Sequence, residues 1–430
     1  MLSFITLSEI TLFNHTIAKI MIPELLAPAG SMEKLKVAVH YGADAVYLGG
    51  QAFGLRNLAG NFTLEEQSEA LDYCHRRGVK VYLTVNSLPR NSSLEALEEY
   101  LHRVTSLPFD ALIVADPGVL SLARRVAPEI CLHLSTQANT VNRESARFWS
   151  GQGISRINLA REMTLEDIRE TTDSLPGTEF EVFVHGALCI SHSGRCLISS
   201  MLTGRDANQG ECTHPCRWSY RLVEESRPGE YFPVMEDEEG TFIFNSRDLC
   251  LLEHLPALVE SGVSSLKIEG RMKGINYVAS VLRVYRQALD EYRDNPSAWR
   301  FRPEWMEELS KLSHRGYTTG FLFGQPHNVG QEYDSAYIRS HEFVGVVESI
   351  QPDGRAVVGV RNRICSGDQL ELIGPAMTSS CLQPESFTLL DNDNLESTVD
   401  TVHPNQRMLL RLPDSAAPFD LLRREKQHNC

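Results

Sequence analysis

From Glu24 to about residue 294, short and nearly continuous apolar runs alternate with stretches whose apolar positions recur every three or four residues. The short runs read as strands covered on both faces, and the longer periodic stretches as amphipathic helices. Glu24 to Gly30 is a buried strand leading into a loop, Ser31 caps a helix from Met32 to Tyr41, and Gly42 closes the unit. Asp44 to Gly50 is a second strand, followed by a long loop with Arg56 and Asn57. A helix with a Thr-x-x-Glu capping box then starts at Thr63 and stops at Gly78. The rhythm continues as strand Lys80 to Asn86, helix Ser93 to Ser106, strand Ala111 to Asp116, helix Pro117 to Val126, strand Cys131 to Gln137 and helix Asn142 to Ser150. Strand Arg156 to Ala160, helix Leu165 to Ser174 and strand Glu179 to Val184 complete seven strands. An eighth, Ser264 to Gly270, comes late, with a helix from Tyr277 to Tyr292 behind it.

Eight such units predict an α/β fold, a closed (β/α)8 TIM-like barrel over residues 21–335 with a cysteine-rich insertion, 187–246, after strand seven. The alternative is an open doubly wound sheet, because sequence rhythm does not show closure. Within the insertion, Trp218 to Val223 and Thr241 to Phe244 read as a β-hairpin. Beyond the eighth unit lie a short helix and a polar stretch from His314 to Gly320. Residues 336–430 then switch to short β-type runs, Val344 to Ser349, Ala356 to Val360, Gln369 to Ile373, Ser386 to Leu390 and Met408 to Arg411. The turns between them predict a small C-terminal all-β barrel. Residues 1–20 lack a basic start and a small-residue cleavage site, so they read as a poorly ordered extension rather than a signal peptide.

Composition narrows the classes. No run of about 18 apolar residues occurs, which speaks against a helix that spans a membrane and, with the missing leader, predicts a cytoplasmic protein. Ten cysteines in a reducing compartment point to metal or redox chemistry rather than disulfides. A net charge of −15 disfavours any partner held mainly by long-range attraction to phosphate, so a nucleic-acid role requires a local basic patch. Arg195, Arg205 and Arg217, inside the cysteine segment, are the candidates for one, against the plainer reading of scattered arginines as solvated surface.

Four of the cysteines, Cys189, Cys196, Cys212 and Cys216, fall in one glycine-rich segment directly after strand seven. Four converging thiolates can hold zinc or an iron–sulfur cluster, and the spacing fits both. Loops that follow the carboxyl ends of strands form the active face of a βα barrel, so the thiols are predicted there. Asn86, Asp116, Gln137, Arg161, Glu162 and His185 also fall at or beyond strand ends. So do Lys267, Glu269 and Arg271, which alternation sends to one side while Ile268 faces the other. Lys267, Arg271 and Arg161 are candidates to bind an acidic small molecule, with a buried ion-pair network as the equal alternative for Lys267, Glu269 and Arg271, and His185 and Glu269 are the candidate catalytic groups. No helical His-Glu-x-x-His and no recognisable Cys/His pairing supports a peptidase mechanism.

The stretch Glu181-x-Phe183-x-x-Gly186-Ala187-Leu188-Cys189-x6-Cys196 resembles the signature of the collagenase-like peptidase U32 family. Leu26 to Gly30, Gly42 to Tyr47, Ser135 to Asn139, Gly204 to Gly210, Asn245 to Leu249 and Lys267 to Arg271 are similar to further family elements, in family order. Within the family, Cys212-Thr-His-Pro-Cys216 and Arg227-Pro-Gly-Glu-Tyr231 resemble the branch of tRNA hydroxylation proteins. That resemblance implies oxygen-independent 5-hydroxylation of the wobble uridine in a tRNA anticodon loop, with prephenate or a similar small acidic hydroxyl donor. It also implies a 4Fe-4S cluster on Cys189, Cys196, Cys212 and Cys216, with Cys250 as the substitute ligand, zinc as the alternative metal, and an iron–sulfur assembly system as a partner. A 23S rRNA hydroxylase, a collagenase-like peptidase and a non-catalytic metal scaffold are the competing functions.

Overall fold

Strand Glu24–Pro28 (β1) is bonded in parallel to Ala45–Gly49 (β2) on one side and to Ser265–Ile268 (β8) on the other. Lys80–Val85 (β3), Ala111–Val114 (β4), Leu132–Leu134 (β5), Arg156–Asn158 (β6) and Glu179–Ala187 (β7) follow in order, and β8 also pairs with β7. The eight-stranded parallel sheet is therefore closed, and the open-sheet alternative falls. The computed structural model describes residues 21–55, 60–189, 191–215, 235–237, 240–242, 247–324, 340–390 and 395–426. The expected extension, 1–20, together with Arg56 and Asn57, lies outside them.

Helices Met32–His40 (α1), Leu64–His75 (α2), Leu94–Val104 (α3), Pro117–Val126 (α4), Arg143–Gly151 (α5) and Leu165–Ser174 (α6) alternate with the strands. Their starts are locally encoded: Ser31, Thr63, Asp116, Asn142 and Thr164 each accept a backbone N–H of the first turn, and Thr63 with Glu66 forms the predicted capping box. Each such cap contributes about 1 kcal/mol. Asp116, read from sequence as a residue of the strand-end ring, has this capping role instead, with Oδ1 accepting from Gly118 and Val119.

Alternation along the strands separates two interiors. Outward residues such as Leu25, Val46, Leu83, Leu112, Ile157 and Ile268 join the helices in the main apolar core. Inward residues Leu26, Ala45, Tyr47, Tyr82, Ala111 and Ile113 form a separate cluster inside the barrel. Beside it the lumen carries paired charges: the buried Arg156 contacts Glu24 at 2.6 Å, and Lys267 contacts Glu181 at 2.7 Å. Charges this deep are tolerated because each has a partner.

The chain leaves β7 at Ala187 for the cysteine segment, which includes the short helix Ile198–Thr203 (α7). It returns as Asp248–Cys250, antiparallel to the end of β7 and parallel to Tyr317–Thr318. This return strand is absent from the sequence reading, and its pairing with His185–Ala187 is why β7 runs three residues beyond its expected end at Val184. The predicted hairpin is corrected in part: Gly240–Phe242 pairs with Met235–Asp237, while Trp218 to Val223 lie outside the described residues. After Leu255–Glu260 (α8) and β8 come Ile275–Asp294 (α9) and Pro303–Ser310 (α10). No helix among the described residues is long and apolar enough to cross a membrane.

The C-terminal region is all-β, with one eight-stranded antiparallel sheet. It contains the expected runs, as His341–Ile350, Arg355–Val360, Leu370–Ile373, Phe387–Leu390 and Arg407–Arg411. Pattern reading missed Leu421–Glu425, whose sequence Leu-Leu-Arg-Arg-Glu looks like a charged tail. It is an interior strand, paired on both sides. It carries Arg423 into a buried ion network against α9 and α10. Tyr41 adds a hydrogen bond of 2.8 Å to the carbonyl of Ile373, so the region is fastened to the barrel's flank.

Candidate active site

At the carboxyl ends of the barrel strands, a cavity of about 390 Å³ opens under the cysteine segment. Its walls come from loops far apart in sequence, as expected for a βα barrel. Two of the walls differ in character. From β6 to β8 it is lined by Arg161, Glu162, Lys267, Glu269 and Arg271, and from β3 to β5 by the neutral Thr84, Asn86, Ile113, Ser135 and Gln137.

The charged wall is built rigidly. Arg161 lies 3.9 Å from the Phe183 ring centroid, donates to the carbonyl of Ala187 at 2.7 Å and faces Glu269 at 4.0 Å. Lys267 is 4% exposed, with its ammonium 4.6 Å from the Tyr47 ring centroid. Its ion pair with Glu181 balances much of its charge. Arg271 donates to Asn61 at 2.7 Å and to Thr84 at 3.0 Å. Its guanidinium lies flat against Gly49, where a Cβ would come within 2.4 Å of Nη2. The Gly49→Ala protein is therefore expected to lose about 1–3 kcal/mol in a urea titration, because the pinned guanidinium cannot yield without losing hydrogen bonds.

The cysteine segment is tied down at defined points. Glu162 accepts the N–H and the hydroxyl of Ser193, both at 2.7 Å, and Ser193 occupies the left-handed region at φ 46°. Asn208 brackets Cys196, accepting its N–H at 3.3 Å and donating to its carbonyl at 3.0 Å. Arg195 donates from Nε to the carbonyl of Gln137 at 2.5 Å, an anchoring role beside its expected one.

Cys189, Cys196 and Cys212 all line the cavity, and so does Pro215, the residue before Cys216. Cys216 itself and Arg217 lie outside the described residues. None of the described cysteines is in a disulfide. Among the described residues no three His, Cys, Asp or Glu side chains stand close enough to hold a metal ion by themselves. Soft sulfur donors gathered on one cavity suit zinc or an iron–sulfur cluster, although the three described thiols alone do not complete a site.

Several sequence-predicted residues do not line this cavity, Asp116 and the exposed Arg195 among them. His185, at 1% exposure, points to the α9 side, between Tyr277, Tyr285 and Tyr317, and burial takes its imidazole down to about 3 despite Asp248 nearby. It stays neutral and structural, since the bulged pairing between β7 and β8 turns it away from the mouth. Cys250 is buried 3.9 Å from the Tyr285 hydroxyl, and burial pushes its thiol up to about 11, so it does not substitute as a ligand from this position. Arg205 is exposed and lines no part of the cavity. Conversely, Arg247 lines the cavity and was missed as a site residue, although it lies in the Asn245-to-Leu249 element.

A family model described as Peptidase family U32 matches residues 30–332, and one described as Peptidase family U32 C-terminal domain matches residues 339–423. The chain is 39% identical to tRNA hydroxylation protein P1 of Bacillus subtilis, over 94% of this chain and 95% of that one. It is 38% identical to tRNA hydroxylation protein P of Escherichia coli, over 93% of this chain and 94% of that one. To the Escherichia coli 23S rRNA 5-hydroxycytidine C2501 synthase it is 35% identical, over 81% of this chain and 52% of that one. With both halves matched and these identities over most of its length, the chain belongs to peptidase family U32.

Proposed function

We propose that this protein is an RNA-hydroxylating enzyme that converts the wobble uridine of a tRNA anticodon loop to 5-hydroxyuridine without molecular oxygen. The observation that carries the reading is the meeting of three thiols of the cysteine segment with a cationic wall in one barrel-mouth cavity. Relatives named tRNA hydroxylation proteins, aligned over nearly the full chain, support the substrate class. Cys189, Cys196 and Cys212, with Cys216, are the residues that would hold a 4Fe-4S cluster, or zinc in its place. Such a cluster, when bound, supplies electron-transfer or Lewis-acid chemistry at the roof of the cavity.

The chain's own groups have separable tasks. Arg161, Arg271 and Arg247, with Lys267 at the floor, bind the carboxylates of a prephenate-type hydroxyl donor. Glu269, 4.0 Å from Arg161, is the carboxylate placed to accept or hold a proton at the donor. Glu162 fixes the cysteine segment over the ligand. Arg195 and Arg205 lie outside on the same segment, where phosphates of an anticodon loop would run, and the loop already presents unstacked bases. Such an enzyme works in the cytoplasm and depends on an iron–sulfur assembly system.

Anaerobic purification tests the reading, with iron and sulfide analysis, a visible spectrum, and mass spectrometry of tRNA nucleosides from a strain lacking the gene. We expect a coloured protein carrying iron and sulfide, and loss of hydroxyuridine-derived nucleosides from the strain. A colourless protein with one tightly bound zinc would remove the cluster, and unchanged tRNA nucleosides would remove the substrate.

A further inference from the structure

The neutral wall of the cavity has a hydrogen-bonding polarity that can be worked out atom by atom. The backbone N–H of Leu55 donates to Asn86 Oδ1 at 3.3 Å, which fixes the orientation of that amide, since a main-chain N–H can only donate. Asn86 Nδ2 must then donate, and it does so to Ser135 Oγ and Gln137 Oε1, each at 3.4 Å. Ser135 Oγ also donates to Gln137 Oε1. The chain of hydrogen bonds ends on Gln137. Its oxygen already accepts two donors, and its Nε2 has no acceptor among the described residues.

Position adds to polarity. The main-chain carbonyl of Gln137 is held by Arg195, from inside the cysteine segment. Its Nε2 lies under Gly194, where an added Cβ would be 4.0 Å away, so no side chain of Gly194 separates amide from thiol loop. Ile113 and Leu55 line the cavity nearby and offer apolar surface to a flat ring. No charged side chain from β3 to β5 lines the cavity, so an anionic donor is drawn to the opposite wall. A neutral planar group with an outward carbonyl fits this one.

We propose that the β3–β5 wall is the nucleobase subsite and that Gln137, oriented by Asn86 and Ser135, selects uracil by donating from Nε2 to its O4. This rests on the RNA-hydroxylase reading and deepens it by naming the residue that selects the base. Uracil presents a carbonyl acceptor at position 4, whereas cytosine presents an amino donor there, which would meet the Gln137 amide donor to donor. The subsite therefore excludes cytosine by an unmade hydrogen bond.

The test is equilibrium binding of two anticodon stem-loop RNAs that differ only in uridine or cytidine at the target position. It is run with the anaerobically purified full-length protein, beside a prephenate titration. The wild type is expected to favour the uridine loop. Gln137→Glu keeps the side-chain shape and can still accept from Asn86 and Ser135, but presents an acceptor to the base. It is expected to weaken uridine-loop binding about tenfold or more and to invert the preference toward cytidine. Prephenate binding should stay within about twofold in Gln137→Ala, which adds no charge to the cavity. Gln137→Ala should lose the preference without inverting it. A uridine preference that survives both substitutions, or a wild type with no preference, overturns the subsite. A wild type that binds neither loop removes the RNA reading itself.

Discussion

Alanine at Arg423 is expected to destabilise the protein by about 3–5 kcal/mol, because it leaves a buried carboxylate with weakened compensation. Arg423 is fully buried on the strand Leu421–Glu425 and grips Glu308 of α10 with both terminal nitrogens, at 2.8 and 2.6 Å. Its Nε donates to Glu371 at 2.7 Å. Without it, Glu308 retains Arg283 at 3.5 Å and Lys311 at 3.6 Å, too distant to replace a two-pronged contact. Arg423→Lys keeps the charge but not the fork and should fall between alanine and the wild type. Urea denaturation of the three proteins checks the order, and equal stabilities would show that the network is energetically idle.

The same network gives a pH dependence with a definite sign. Burial alone would raise the Glu371 carboxyl, but the hydrogen bond and charge of Arg423 outweigh it and bring it down to about 2 from an ordinary 4.5. Glu308 is lowered by the same competition. Folded-state values below the unfolded ones mean that the stabilisation is present above pH 4.5 and lost as pH falls toward 2. The gap between wild type and Arg423→Ala should therefore close over that acid range.

Serine at Cys189, Cys196 or Cys212 is expected to lower bound metal by at least about tenfold, given that losing even an outer partner of a ligand costs 10–100-fold in affinity. Hydroxyuridine-derived nucleosides should disappear from the complemented strain in parallel. Cys250→Ser should retain both, because that thiol is buried against Tyr285 and kept protonated, away from the cavity. Metal retained in all three single variants would break the assignment of the segment as a ligand set, whatever the activity does.

Much of this was legible in the chain. The helix starts were written locally, in residues such as Thr63 and Asn142 that cap their own first turns, and the spacing of apolar runs counted eight strands. The gathering of Cys189, Cys196 and Cys212 at the mouth followed from their place after strand seven. Strand ends were less legible: Cys131 to Gln137 shrank to Leu132–Leu134 because Thr136–Ala138 turns as a 3-10 helix. Apolar character persists past the point where pairing stops. His185 looked like an active-site histidine because it follows a strand beside a cysteine loop, yet a register shift turned it into the outer wall.

Order along the chain, the periods of its apolar positions and the caps are properties of neighbouring residues, and the sequence alone determined them. Closure of the barrel, the partner of Lys267, the fork of Arg423 and the orientation of the Gln137 amide depend on residues up to 241 positions apart, as between Glu24 and Ser265. Only the tertiary structure decided these, because a side chain's charge balance and free hydrogen-bonding atoms are set by what packs against it, and no local pattern encodes that.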